Sequence, residues 1–161
     1  MKKRLMILLL PVIFLLTACM NDPIQDDLLN YINKEMADTY KLEETAVSAY
    51  EGVSGSNYTD DQTMHDALVN EVMPNYSKLL ENLKSANIQT DEVKAVHEHF
   101  IKGAEVQLKA FETIIDGLEK QDSGLIEEAN GMLDEAVVHI DEYLKELNKL
   151  AEEHDVEWQE K

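Results

Sequence analysis

Few side chains in this 161-residue chain can do chemistry: one cysteine, Cys19, and five histidines, His65, His97, His99, His139 and His154, set among 33 acidic residues. Helical di-metal sites use Glu-x-x-His pairs on facing helices, and no such pair occurs here. The nearest arrangements are Glu135 four residues before His139, His139 three before Glu142, and the triplet His97-Glu98-His99. Residues two apart on a helix point about 200° apart, so His97 and His99 cannot share an ion on an intact helix. No strand-turn-helix nucleophile motif surrounds any serine. These patterns predict no catalytic residue, no metal site and no cofactor.

Cys19 is different. Met1-Lys2-Lys3-Arg4 is basic, Leu5 to Leu16 is apolar apart from Pro11, and Leu16-Thr17-Ala18 leads directly into the cysteine. The apolar run is about 15 residues, short of the roughly 20 needed to span a bilayer. Leu16-Thr17-Ala18-Cys19 resembles the lipobox of bacterial lipoproteins, and the whole chain resembles the small helical lipoproteins of Gram-positive bacteria. The resemblance implies that residues 1–18 are a signal peptide cleaved before Cys19. It also implies that the Cys19 sulfur carries diacylglycerol and that the domain is anchored at the extracytoplasmic face of the cell membrane. Two acyl chains make a stable anchor where one does not.

The formal net charge is −19, and Lys2, Lys3 and Arg4 leave with the leader, so the mature domain is three units more negative. Arg4 is the only arginine. Phosphate recognition depends on arginine forks or clustered basic charge, which excludes nucleic acid as a partner. An anionic bilayer repels the domain within about a Debye length of 8 Å, leaving the lipid as the membrane contact. With no second cysteine, stability must come from an apolar core.

The element pattern supplies that core. After a short tether over 19–22, four segments of helical periodicity follow, and none alternates like a strand. The first runs from about Pro23 to Glu51, capped by Asp22, with a stripe Leu28, Ile32, Thr39, Leu42, Ala46 and Ala49 blurred by Met36, Tyr40, Val47 and Tyr50. Gly52 to Tyr58 breaks it. Thr59-Asp60-Asp61-Gln62 has capping-box form and opens the second segment, which carries Met64, Leu68, Val72, Tyr76, Leu79 and Leu83; Pro74 bends it. Thr90 caps the third, striped by Val93, Val96, Phe100, Ala104, Leu108, Phe111, Ile114, Ile115 and Leu118. The fourth, Ile126, Ala129, Leu133, Ala136, Ile140, Tyr143, Leu147 and Leu150, alternates steps of three and four. Its seam turns polar at His154, so the helix should end near residue 153, leaving 154–161 as a tail. Four amphipathic helices with short connections predict an all-α, up-down-up-down antiparallel four-helix bundle over 23–153 that is monomeric.

Reflecting the last two helices about residue 122 or 123 places His97 about nine residues from the level of His139, roughly 13 Å along the axis. The same reckoning gathers Tyr40, Glu71, Gln107 and His139 into one internal polar layer that could fix register. The functional expectation is a non-enzymatic binding or scaffolding module for another envelope protein, with Ser54, Asn57 and Tyr58 in the membrane-distal loop as the partner contact. The alternative is a sensor or carrier of a divalent cation or small ligand through the acidic surface or the polar layer.

Overall fold

In a computed structural model the described residues are 22–158. The lipobox residues Leu16, Thr17, Ala18 and Cys19 lie outside them, as do residues 159–161 of the expected tail. Among the described residues every regular element is helical: α1 (Pro23–Asn30), α2 (Ala37–Glu51), α3 (Asp61–Ala67), α4 (Met73–Ser85), α5 (Asp91–Lys120) and α6 (Ser123–Glu153). None of these helices is long and apolar enough to cross a membrane.

α1 and α2 form one helical stretch joined by a π-turn at Tyr31–Glu35, in which the Met36 N–H reaches back five residues to the Tyr31 carbonyl at 2.9 Å. A π-turn admits one extra residue, and this is what blurs the sequence stripe. Past it, Met36, Thr39, Glu43, Ala46, Val47 and Tyr50 face inward, while Leu42 and Ala49 are only partly buried. A second π-turn, Leu68–Val72, joins α3 to α4 directly ahead of Pro74, which stands in the first turn of α4. A proline lacks the N–H for the fourth-back carbonyl and crowds it; the widened turn relieves that conflict, and the chain stays helical from Asp61 to Ser85.

The caps explain where each stretch begins. Asp22 accepts from the Ile24 and Gln25 N–H groups. The second stretch is capped by Asp60, which accepts from Thr63 N at 2.9 Å, one residue later than the capping-box reading placed it. Thr90 holds the N-cap position of α5 without capping it, because its hydroxyl donates to Asp27 Oδ2 at 2.7 Å. α5 ends with Gln121 in the left-handed region at φ 54°, and Asp122 N bonds to the Gly117 carbonyl. α6 ends the same way through Asp155, with Val156 N on the Ala151 carbonyl and the Val156 side chain buried. Such closures satisfy the carbonyls a helix leaves open at its C-terminus. α6 therefore stops at Glu153, where the seam turns polar, but the tail begins by packing: Val156 is buried and Trp158 partly so.

The two long helices touch most intimately. A Cβ at Gly103 would lie 2.8 Å from Ile140 Cδ1, and one at Gly117 would lie 2.7 Å from Ile126 Cδ1. Glycine at these two positions is what lets α5 and α6 approach. Tyr31, Tyr76, Tyr143, Phe100 and Phe111 are the largest fully buried side chains of the core. The α6 seam is buried at Ala129, Ala136, Tyr143, Leu147 and Leu150, whereas Ile126, Leu133 and Ile140 remain partly exposed.

Candidate functional site

Within the core a polar chain crosses the molecule. The Tyr40 and Tyr143 hydroxyls are 2.7 Å apart, Tyr143 and Tyr31 3.3 Å, and Tyr31 lies 3.0 Å from His97 Nδ1. His97 Nε2 faces the Leu83 carbonyl at 2.9 Å. A carbonyl only accepts, so Nε2 carries the hydrogen and Nδ1 is left as an acceptor. Burial lowers the pKa of His97, favouring this neutral ring, and burial raises the pKa of all three phenols. Phe100 stacks on Tyr143 at 4.7 Å between ring centres. The polar layer thus includes Tyr40 but not the partners expected for it. Glu71 is exposed, and His139 is partly exposed on α6. Gln107 is buried. His97 is the inner terminus of the chain. Phenols and a neutral imidazole satisfy one another at little cost, which a carboxylate could not do.

One helical turn beyond Thr39 stands Glu43, 7% exposed, its pKa pushed up to about 7 by burial. Glu43 Oε2, Thr39 Oγ1 and the Tyr76 hydroxyl are buried without hydrogen-bond partners, and the Glu43 charge bears on Tyr76. Glu43 stands one position beyond Leu42 of the expected stripe, and an acidic residue on an amphipathic helix ordinarily faces solvent, so the sequence does not mark it as buried.

At the far end from Asp22, the loop between α2 and α3 is well tied. Asn57 Nδ2 donates to the Glu51 carbonyl at 2.8 Å, Asn57 N bonds to the Ser54 carbonyl, and Ser54 hydrogen-bonds the Tyr50 side chain. Gly55 has φ 58°, a conformation that favours glycine. Ser54 and Asn57 therefore hold the loop, and Tyr58 is what it displays. Tyr58 is 47% exposed, the sole exposed aromatic side chain among the described residues, with its hydroxyl donating to Asp61 Oδ1 at 2.6 Å. Asp61 also accepts from Gln121 Nε2, and beside it a shallow depression of about 390 Å³ is lined by Asp61, Gln62, His65, Leu118, Glu119 and Gln121.

The opposite end is a clamp. His154 Nδ1 meets Asp22 Oδ2 at 2.7 Å, and Gln25 Nε2 donates to the His154 carbonyl at 2.7 Å. The hydrogen bond from His154 holds the Asp22 carboxyl below its usual pKa. Buried Asp27 accepts from Gln89 N, Thr90 N and the Thr90 hydroxyl, fixing the connection between α4 and α5. Glu35 adds a bond from Asn87 N.

On the outer face of the long hairpin, His99, His139 and Glu142 converge. Their ligand atoms all lie within 4.8 Å of one another. The contacts between α5 and α6 set His99 level with Leu144, nearer to His139 than the reflection about residue 122 or 123 implied. The sequence predicts no metal site, yet His99, on another face of α5 from the core-facing His97, meets His139 and Glu142.

Among known proteins, the family described as EMYY-motif containing lipoprotein matches this chain over residues 1–120. The four letters of that motif do not occur in the sequence, where the single Glu-Met pair, Glu35-Met36, is followed by Ala37-Asp38. No curated protein and no solved structure matches the chain.

Proposed function

The chain belongs to the family of EMYY-motif containing lipoproteins, and from that premise we propose that it is held by lipid on Cys19 at the extracytoplasmic face of the cell membrane. There it works as a monomeric, non-enzymatic module that binds another envelope protein. In this reading the four helical stretches form an up-down-up-down antiparallel four-helix bundle. Support comes from two sets of contacts. Asp22–His154 and Asp27–Thr90 bring together the start of α1, the connection between α4 and α5, and the end of α6. Asp61–Gln121 and His65–Glu119 bring together the start of α3 and the end of α5. Only Met20 and Asn21 separate Cys19 from Asp22, so the clamp is the membrane-proximal end. The Tyr58 loop is carried roughly 45 Å away by 30-residue helices. Repulsion between the acidic surface and anionic lipid favours a standing domain.

The observation that carries the binding role is Tyr58: an exposed aromatic ring on a rigidly tied loop, bordering a shallow polar depression. Aromatic rings at low entropic cost are favoured interface anchors. Replacing residues 54–58 with a Gly-Ser linker should leave membrane fractionation and helix content intact and abolish cross-linking to the partner. Cys19→Ser should release the protein from the membrane while preserving its fold. Unchanged cross-linking by the linker variant would rule out the Tyr58 tip. A second reading, a carrier of a divalent cation, draws on the convergence of His99, His139 and Glu142.

A further inference from the structure

We propose that His99 Nδ1, His139 Nδ1 and a Glu142 carboxylate oxygen bind one divalent transition-metal cation, zinc foremost. The imidazole nitrogens carry the argument. His99 Nδ1 lies 3.2 Å from Glu142 Oε2 and His139 Nδ1 lies 3.7 Å from the same oxygen, yet both ring nitrogens are buried and neither has a hydrogen-bond partner. Buried polar atoms in folded proteins are almost always satisfied, and an exception asks for an explanation such as an unseen ion. Here two exceptions aim at one carboxylate. Zinc holds nitrogen at about 2.0–2.1 Å and carboxylate oxygen at about 2.0–2.2 Å in tetrahedral geometry. Neighbouring ligands then stand about 3.4 Å apart, a spacing that the 3.2 and 3.7 Å contacts bracket.

The local sequence builds this arrangement. His139 and Glu142 are three residues apart on α6, hence on one face. His99 comes from α5, one turn before Gly103, where the missing side chain lets the two helices close on Ile140 and on His139 Cβ. Two imidazoles and one carboxylate suit zinc, and also copper or nickel, better than the all-oxygen preference of magnesium or calcium. Three protein ligands leave a fourth position open for water or a partner's carboxylate. A shallow groove of about 280 Å³ has His99 in its wall, together with Glu92, Glu146, Glu153 and Lys149, so its charged lining is net acidic although Lys149 pairs with Glu146 and Glu153. The site stands on the α5–α6 hairpin and does not depend on the Tyr58 loop, so each can fail without the other.

Calorimetric titration of the full lipidated chain in detergent with zinc chloride tests the proposal. The expected result is one equivalent of zinc per chain, unaffected by excess magnesium. His99→Ala, His139→Ala and Glu142→Gln should each weaken it at least about tenfold, while Glu128→Gln, an exposed acid elsewhere on α6, leaves it unchanged. Cobalt substitution should give the visible bands of a four-coordinate ion, lost in His99→Ala. Circular dichroism confirms that each variant is folded; should an alanine variant unfold, His99→Gln and His139→Gln replace it. Zinc binding of equal strength in the histidine variants and the parent, or no stoichiometric zinc in the parent, overturns the proposal.

Discussion

α5 and α6 run 30 and 31 residues without interruption, whereas each helical stretch before them contains a π-turn. The hairpin seam is mostly small and apolar, with Gly103 and Gly117 admitting Ile140 and Ile126 into close contact and Thr113 a polar residue set against Met132. The earlier half instead contributes Thr39, Glu43 and Tyr76, whose buried oxygens lack partners. A regular helix keeps every third or fourth residue inside. Past the π-turn the inward face of α2 runs through Thr39, Glu43, Ala46 and Tyr50, so a carboxyl lies inside. The two parts therefore differ in kind: the unpartnered buried atoms of the hairpin are two ring nitrogens on its outer face that share one carboxylate, whereas on the α2–α4 face they are core oxygens, one of them a carboxyl.

The largest effect should come from breaking the hairpin. Leu147 is fully buried, and Leu147→Ala should destabilise by about 2–5 kcal/mol, read from denaturant unfolding. A loss below about 1 kcal/mol would mean the α6 seam does not dominate stability.

Glu43 sharpens the other side. An unfolded glutamate ionises near about 4.3, while the buried one waits until about 7. As pH rises through that window the unfolded state releases its proton first, so stability falls and then levels off above the folded pKa. The total is on the order of 3 kcal/mol. Glu43→Gln should remove this decline, raising stability relative to the parent at pH 8 and converging with it near pH 4. His97 acts in the opposite direction, since its lowered pKa makes acid below about 6.5 unfavourable to the fold. Comparing the two proteins cancels that contribution. Parallel pH profiles would show that Glu43 is not held neutral.

The smallest effect concerns Tyr76, fully buried with its hydroxyl unpartnered. Tyr76→Phe should be neutral or stabilise by up to about 1 kcal/mol, because no bond is lost and a buried polar group is removed. A loss above about 1 kcal/mol in thermal unfolding would reveal a bond to the hydroxyl and narrow the contrast between the halves.

These differences follow the line between what the sequence showed and what it hid. The α6 steps of three and four, the stop at Glu153, the Asp22 cap and the helical extent of all four segments were legible because local periodicity and caps determine them. Glu43 and His97 were not, since an acidic residue and a histidine on an amphipathic helix ordinarily face solvent. Their burial depends on packing distant in sequence: Glu43 lies against Tyr76 of α4, and His97 meets Tyr31. The His99–His139–Glu142 cluster was half legible: the His139–Glu142 spacing is local, but the level of His99 depends on how closely Gly103 lets the hairpin close.

The Asp22–His154 clamp has a mechanical consequence. Under the proposed anchoring through Cys19, any pull on the domain enters at its N-terminus, and a single terminal helix loaded from its end peels away turn by turn. Here the load enters α1 at Asp22 and is shared at once with the last turn of α6 through His154 and Gln25. Detaching the first helix under tension requires shearing the contact with the last.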